Sequence, residues 1–485
     1  MRLAELCSGW IEVDAKIDVT GLAADSREVR PGDMFAALSG SRTDGGRFVQ
    51  DAIAKGAVAV LAAPGVLAAD LPVPVLTDSD PRRRLSLLAA RFFGAQPRKV
   101  VAVTGTNGKT STADFAAQLW DRLGKPAASL GTLGVRSPRY TAPLAHTSPD
   151  PVTLHRHLAE LARAGIDHLA IEASSHGLDQ RRLDGMTFAA AAFTNLTRDH
   201  LDYHRSVEDY VAAKRRLFDT LLEAGAAAVV NVDDAVGLEL AEVARARGLR
   251  LFRYGRSGTE LKLLDLALVH GGLRMTAELF GRRCDIALQM IAEFQAMNAL
   301  AAFGLVVAAG ADAAAAQAAL PHLAGVPGRL QRAAVHPSGA PIYVDYAHTP
   351  DALAKALEAA RPHATRQLVV VFGCGGDRDR GKRPQMGAIA SAQADRVFVT
   401  DDNPRSEDPA AIRREILARC PGAQEVGDRA EAIRIAVAGL EAGDVLVIAG
   451  KGHEQGQIVG ERVLPFDDAT VAQAAVEALA WRNSA

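Results

Sequence analysis

Residues 99–112 read KVVAVTGTNGKTST, an apolar run suited to a buried strand, then a turn with two glycines, then polar residues that open a helix. A chain with this passage is constrained to an α/β fold in which ligands meet the loops at the carboxyl ends of strands. Gly105 and Gly108 let the backbone curl closely enough for N–H groups around Thr106 and Asn107 to face phosphate oxygens. Lys109 adds a positive charge, and Thr110, followed by Ser111, offers a hydroxyl to Mg2+. Val103 stands where the general phosphate-loop pattern asks for glycine, so the match is to the narrower form T-G-T-N-G-K-[ST]. A turn that binds nothing has no need of Lys109 and Thr110, and the passage reads as a cradle for ATP.

With 485 residues, 48% of them hydrophobic, the chain is long enough for about three domains. Its 55 basic and 57 acidic residues are intermixed and leave a net charge of -2, which supplies no basic face for nucleic acid and points to small-molecule partners. Cys7, Cys284, Cys374 and Cys420 are widely spaced and form no C-x-x-C pair, as expected in a reducing cytoplasm. Glu5 and Glu12 interrupt the start of the chain where a signal peptide needs an apolar core, and no apolar run reaches transmembrane length. A soluble protein is expected. The alanine-rich stretch from Ala308 to Leu320 reads as a packed surface helix.

Strand and helix signals divide the chain into three α/β regions. Residues 1–90 carry short apolar runs among Asp, Gly and Pro; 91–328 repeat strand, loop and helix through KVVAVTG, HLAIEAS, AAAFTN, AAAVVNVD and RLFRYG. Residues 329–485 do so through PIYVDYA, QLVVVFG, DRVFVTD and VLVIAGKG. Mostly parallel sheets with helices on both faces follow for the second and third regions. The loops after these strands are unusually polar: GTNGKTS, EASSHGLDQRR, TNLTRDHLDYH, DYAHTPD, GCGGDRDRGKRP, DDNPR and GKGHE. Any one of them is compatible with ordinary helix capping, but seven together exceed what caps require. Glu172, at the end of an apolar strand, is a hard oxygen ligand suited to Mg2+. Arg405 can grip a carboxylate through two parallel hydrogen bonds, and Asp402 and Asn403 beside it can accept from an ammonium group.

These motifs, with a lone Lys214 after NLTRDHLDYH and DSR at 25–27, resemble the Mur ligases over nearly the whole chain. The resemblance implies a small α/β N-terminal domain binding a UDP-substrate, a central P-loop domain with a parallel or mixed sheet binding ATP, and a Rossmann-like doubly wound C-terminal domain binding an amino acid. It implies ATP-dependent amide formation: the carboxylate of a UDP-N-acetylmuramoyl dipeptide is phosphorylated, and an amine displaces phosphate. His200 resembles the family's second metal ligand. Lys214 resembles its carbamylated lysine, whose CO2-derived carbamate can ligate or orient the metal site; without that likeness it reads as a solvated helix lysine. Asn298, Arg329 and Asp345 resemble residues on the ATP side. Ser26, Thr147, Ser148, Ser174, Gln180 and Arg182 resemble UDP-substrate contacts. D-N-P-R, through Pro404, implies meso-diaminopimelate rather than L-lysine, with Arg378, Gly450 and Glu454 as partners. There are departures: His146 precedes Thr147 where asparagine is common, Ser41 lies where some members have histidine, and Gln331 replaces a glutamate. The chain is expected to act as a monomer. Folylpolyglutamate synthase, which shares the cradle but should lack DNPR and the UDP-binding region, and an ATP-binding regulatory module without turnover are the alternatives.

Overall fold

Val100 to Val103 are at most 1% exposed, because the strand Lys99–Thr104 lies inside a sheet covered on both faces. Its parallel neighbours are His168–Glu172, with Val103 opposite Glu172, and Ala190–Phe193, with Val101 opposite Ala190. The computed structural model describes residues 1–13, 16–40, 44–67, 70–197, 203–269 and 272–484. His200 and Ser41 lie outside the described residues. Two compact units are present: Met1–Leu263 with Glu278–Arg282 and Asn298–Ala319, and Leu264–Ala277 with Arg283–Met297 and Leu320–Ala485.

In the first unit the central strands run in the order Arg250–Gly255, Ala227–Asn231, Ala190–Phe193, Lys99–Thr104, His168–Glu172, Ala127–Gly131 and Gly134–Arg136. All pair in parallel except the last, which is antiparallel. Every expected strand appears. Ala127–Gly131 and Gly134–Arg136 are additions, since AASLG lacks the β-branched residues that announce a strand. Residues near the N-terminus form a separate parallel sheet of Gly21–Ala23, Asp33–Ala36, Ala59–Ala62 and Val75–Thr77, paired in chain order.

The second unit contains a sheet in the order Gln331–Val335, Pro341–Asp345, Val445–Ala449, Leu368–Phe372, Arg396–Val399 and Gln424–Glu425. Only its first strand is antiparallel; the rest form a doubly wound core between two apolar layers, one around Leu353, Met386 and Ile416 and one around Ile433, Ala436 and Ala472. The loops after Asp345, Phe372, Val399 and Ala449 therefore leave the same edge of the sheet.

The alanine-rich stretch is not one surface helix. The helix Glu293–Ala308 ends, Gly310 turns the chain with φ 100°, and a short helix Ala313–Ala319 restarts behind Asp312, whose carboxylate accepts from Ala315 N at 2.8 Å. Alanine composition conceals such a break, whereas a left-handed glycine followed by a capping aspartate produces it. Among the described residues no helix is long and apolar enough to cross a membrane.

Candidate functional site

Helix Lys109–Arg122 begins at Gly108 (φ 87°) with no side-chain cap, so its first N–H groups remain for an anion. Gly105 (φ 140°) is required by packing as well: a Cβ there would fall 1.9 Å from Thr194 Oγ1, and one on Gly108 would fall 2.3 Å from Asn298 Oδ1. Asn298, 5% exposed, thus abuts the loop. Lys109 Nζ folds back onto it, donating to Gly105 O at 3.0 Å and Thr106 O at 2.8 Å. Lys214 is not a solvated helix lysine. It is 1% exposed, its Nζ donates to Gly105 O at 2.7 Å, and it stands 4.3 Å from the Tyr210 ring centroid. Tyr210 OH is 3.1 Å from Thr106 Oγ1 on the same loop.

At the end of strand His168–Glu172, Glu172 collects oxygen and nitrogen partners: Thr110 Oγ1 donates at 3.0 Å, Thr132 N at 2.7 Å and Thr132 Oγ1 at 3.2 Å. Gly131 makes room, since a Cβ there would meet Glu172 Oε1 at 2.1 Å. A hydroxyl and a carboxylate this close are hard donors that fit Mg2+, an ion that completes its shell with water and phosphate oxygens. Among the described residues no three His, Cys, Asp or Glu side chains gather. Thr132, absent from the sequence expectations, connects onward: its Oγ1 is 3.1 Å from Thr147 Oγ1. Ser148 Oγ donates to Glu172 O at 2.9 Å and accepts from Ser174 N and Ser174 Oγ at 3.1 and 3.0 Å. Ser174 also caps its helix by accepting from Gly177 N at 3.1 Å, as the capping reading of this loop expects.

Arg182 donates to Ser148 O at 2.5 Å and to Gln180 Oε1 at 2.8 Å. With Ser26, both line a cavity of about 670 Å³ that also meets Arg27, Arg82, Phe35 and Phe48, groups able to hold a base, a pyrophosphate and carbonyls. His146 is exposed.

In the second unit, Asp345 accepts from Leu330 N at 2.7 Å and Ala347 N at 2.8 Å, and burial pushes its carboxyl up to about 6 against the pull of Arg329. Arg329 lies 5.1 Å from the Tyr346 ring. Gln331, in place of glutamate, keeps an acceptor in the turn, its Oε1 taking Gly328 N at 3.0 Å.

The DNPR loop differs from expectation at one atom. Asn403 Oδ1 already accepts from Lys451 Nζ at 2.8 Å and Ile458 N at 2.9 Å, so it is not available to a ligand ammonium; its Nδ2 donates to Glu454 Oε2 at 2.8 Å. Asp402 lies beneath Gly450 (φ 119°), where a Cβ would fall 2.5 Å from its Oδ2. Arg405 donates to Gly376 O at 2.9 Å rather than pairing with Asp402, and takes φ 51°, the left-handed region. Arg378 Nη1 donates to Asp377 O at 2.9 Å, and a Cβ on Gly375 would fall 2.8 Å from Arg405 Nη1 and 3.9 Å from Arg378 Cγ, so the two side chains flank this glycine. A Cβ on Gly376 would meet Pro404 O at 1.9 Å, which is why this loop carries paired glycines. Arg383, fully buried and unanticipated, locks both loops: it donates to Glu407 at 2.8 and 3.0 Å and to Gly375 O at 3.3 Å, while Glu407 also accepts from Asp377 N at 2.6 Å. Those hydrogen bonds hold the Glu407 carboxyl down to about 2. A lysine between two glycines after an apolar strand, and an arginine shortly after the glycine-rich loop GCGGDRDRGK, are the sequence signals for Lys451 and Arg383.

Residues 18–93 match the Mur ligase family catalytic domain, 103–306 the Mur ligase middle domain, and 328–452 the Mur ligase glutamate ligase domain. Over 484 residues the chain is 54% identical to UDP-N-acetylmuramoyl-L-alanyl-D-glutamate--2,6-diaminopimelate ligase of Bradyrhizobium diazoefficiens, covering 98% of this chain and 99% of that one. It is 52% identical over 482 residues to the same-named protein of Caulobacter vibrioides, with the same coverage of 98% and 99%. A solved structure bearing that name superposes with a TM-score of 0.75 at 34% identity, covering 99% of this chain and 100% of that one. Folylpolyglutamate synthase of Mycobacterium tuberculosis, at 21% identity and TM-score 0.61 over 82% of this chain and 95% of that one, shares the fold alone.

Proposed function

The chain belongs to the Mur ligase family, and we propose that it joins meso-diaminopimelate to UDP-N-acetylmuramoyl-L-alanyl-D-glutamate, converting ATP to ADP and phosphate in the assembly of peptidoglycan precursors. The observation that carries the reading is that Arg405 and the stem of Arg378 flank Gly375 in the loop beside Asn403, whose Nδ2 donates to Glu454: cations for a carboxylate near an acceptor for an ammonium. L-lysine lacks the second carboxylate.

The dipeptide carboxylate attacks the γ-phosphorus, ADP leaves, and the resulting acyl phosphate is attacked by the amine, which loses a proton as phosphate departs. Bringing two anions together requires fixed positive charge and oriented N–H groups. Lys109 and the loop amides bind phosphate oxygens, and Thr110 and Glu172 would hold Mg2+, with His200 as a further ligand. When bound, Mg2+ neutralises phosphate charge. Lys214 would serve as its carbamate: burial beside Gly105 places the amine next to the phosphate loop, and addition of CO2 turns a cation into an anion able to orient the metal set. Asn298 serves the nucleotide side, a role that the resemblance also implies for Arg329 and Asp345. Ser26, Thr147, Ser148, Ser174, Gln180 and Arg182 hold the UDP-substrate, its uridine end in the cavity at Ser26. The three working domains are 1–90, 91–328 and 329–485, and the chain acts in the cytoplasm as a monomer.

Phosphate release measured with each combination of substrates tests the reading. It is expected only when ATP, the UDP-muramoyl dipeptide and meso-diaminopimelate are all present. Release with folate and glutamate would favour a folylpolyglutamate synthase activity, and release with ATP alone a regulatory ATPase.

A further inference from the structure

We propose that Lys451 is a positioning residue for the incoming amino acid, its buried ammonium fixing the direction in which the Asn403 amide faces and the place of the Glu454 carboxylate. The inference rests on the reading that this loop cluster binds the amino acid. Lys451 is fully buried, and a charge in that position has to be matched by nearby acceptors. It finds two: Asn403 Oδ1 at 2.8 Å and Glu454 Oε2 at 3.2 Å.

The amide orientation follows from these partners and not from the shape of the side chain. An ammonium and the Ile458 backbone N–H can only donate, so the Asn403 atom facing both must be its oxygen. Nδ2 is thereby turned toward Glu454, where one hydrogen is used at 2.8 Å and the other remains for a ligand acceptor. Glu454 in turn is held by Asn403 and Lys451 together. The backbone that delivers Lys451 is itself specialised: Gly450 and Gly452 take φ 119° and 56°, and a Cβ on Gly452 would meet Tyr346 at 2.7 Å. Without the ammonium, the Ile458 N–H and the Glu454 carboxylate are left to hold the amide, and Glu454 itself has lost one of the two partners that fix it. A rotated amide would place its oxygen against the Glu454 carboxylate, so Asn403 and Glu454 would separate and the amino acid would lose both.

The test is a double-mutant cycle between Lys451→Met and Asn403→Ala, read as KM for each substrate and as kcat. Lys451→Met should raise KM for meso-diaminopimelate tenfold or more, leave KM for ATP and for the UDP-dipeptide within about twofold, and lower kcat less than it raises that KM. In the Asn403→Ala background the added effect should shrink to threefold or less, because one of the two groups through which Lys451 acts has gone and only its longer contact with Glu454 remains. If Asn403→Ala itself leaves the diaminopimelate KM unchanged, the amino-acid reading of the loop fails. If Asn403→Ala raises it but Lys451→Met does not, or if the two effects multiply in full, the positioning role is overturned. Should the methionine variant not fold, Lys451→Gln, which keeps a donor without the charge, carries the same cycle with the same criteria.

Discussion

The Thr110 hydroxyl donates to the Glu172 carboxylate at 3.0 Å, although 62 positions separate them in the chain. One residue opens the helix after the phosphate loop and the other closes the adjacent parallel strand, so the sheet brings a hydroxyl and a carboxylate to the same spot. Replacing the carboxylate by an amide keeps the size and removes the charge. Glu172→Gln is expected to lower kcat by about a hundredfold or more, the usual scale for losing one electrostatic contact in a charge-rich reaction. The Mg2+ concentration needed for half-maximal rate should rise while the melting temperature stays within a few degrees. A variant with ordinary turnover and ordinary Mg2+ dependence would remove Glu172 from the metal side.

Gly108→Ala should damage nucleotide binding more than folding. The new Cβ would occupy a left-handed position at φ 87° and meet Asn298 Oδ1 at 2.3 Å, so the loop has to shift. Strain of this kind costs about 1–2 kcal/mol of stability. The KM for ATP is expected to rise at least about tenfold, since the loop N–H groups lose their aim. An unchanged ATP KM, measured alongside thermal unfolding, would show that the loop tolerates the side chain.

Lys214→Ala should be inactive and should recover part of its rate with a small added carboxylate such as formate, which can stand in for the proposed carbamate. The buried amine beside Gly105 O is what motivates this. Labelling the active enzyme with 13CO2 and looking for the carbamate carbon by NMR checks it directly; an active enzyme whose lysine carries no label would end the carbamate assignment.

Discrimination between diamino acids should depend on Arg405. Its left-handed backbone and its bond to Gly376 O hold the guanidinium at the Gly375–Gly376 turn, where we propose that the second carboxylate of meso-diaminopimelate is paired. Wild type is expected to favour meso-diaminopimelate over L-lysine by a factor of roughly 10⁴ in kcat/KM, the scale of a site built to pair a group that the competitor lacks. Arg405→Ala should erase most of that ratio. Equal ratios in the two proteins would mean that another loop reads the side chain.

His155 predicts a pH effect on stability. It is 2% exposed, and burial pulls its pKa from 6.5 down to about 4. The folded state therefore disfavours protonation that the unfolded chain accepts: above about 6.5 there is no penalty, and stability is lost as pH falls from there toward about 4. At about 1.4 kcal/mol per unit the full loss approaches about 3 kcal/mol. Denaturant unfolding of wild type and His155→Leu across pH 4–7 should show the difference between them shifting in favour of the variant as pH falls. Parallel curves would contradict a neutral buried imidazole.

Much of the scaffold was legible in the chain because its cause is local. An apolar run followed by Gly105 and Gly108 determined the strand, the left-handed turn and the open helix start, and these depend on steric limits and burial within a dozen residues. The same holds for the strands before Asp345, Gly373, Thr400 and Gly450, and hence for the edge where their loops gather. Small-residue strands such as Ala127–Gly131, and the antiparallel edge Gln331–Val335, escaped notice because their pairing is set by neighbours rather than by their own pattern. Tertiary structure alone decided which atoms each polar group faces. Lys214 reads as a solvated helix lysine until the fold brings it to Gly105, 109 positions away, and the Asn403 amide can face either way until Lys451, 48 positions on, takes its oxygen. Residue type specifies what a group can donate or accept, whereas the partner that uses it is supplied by segments whose separation in the chain carries no local signal.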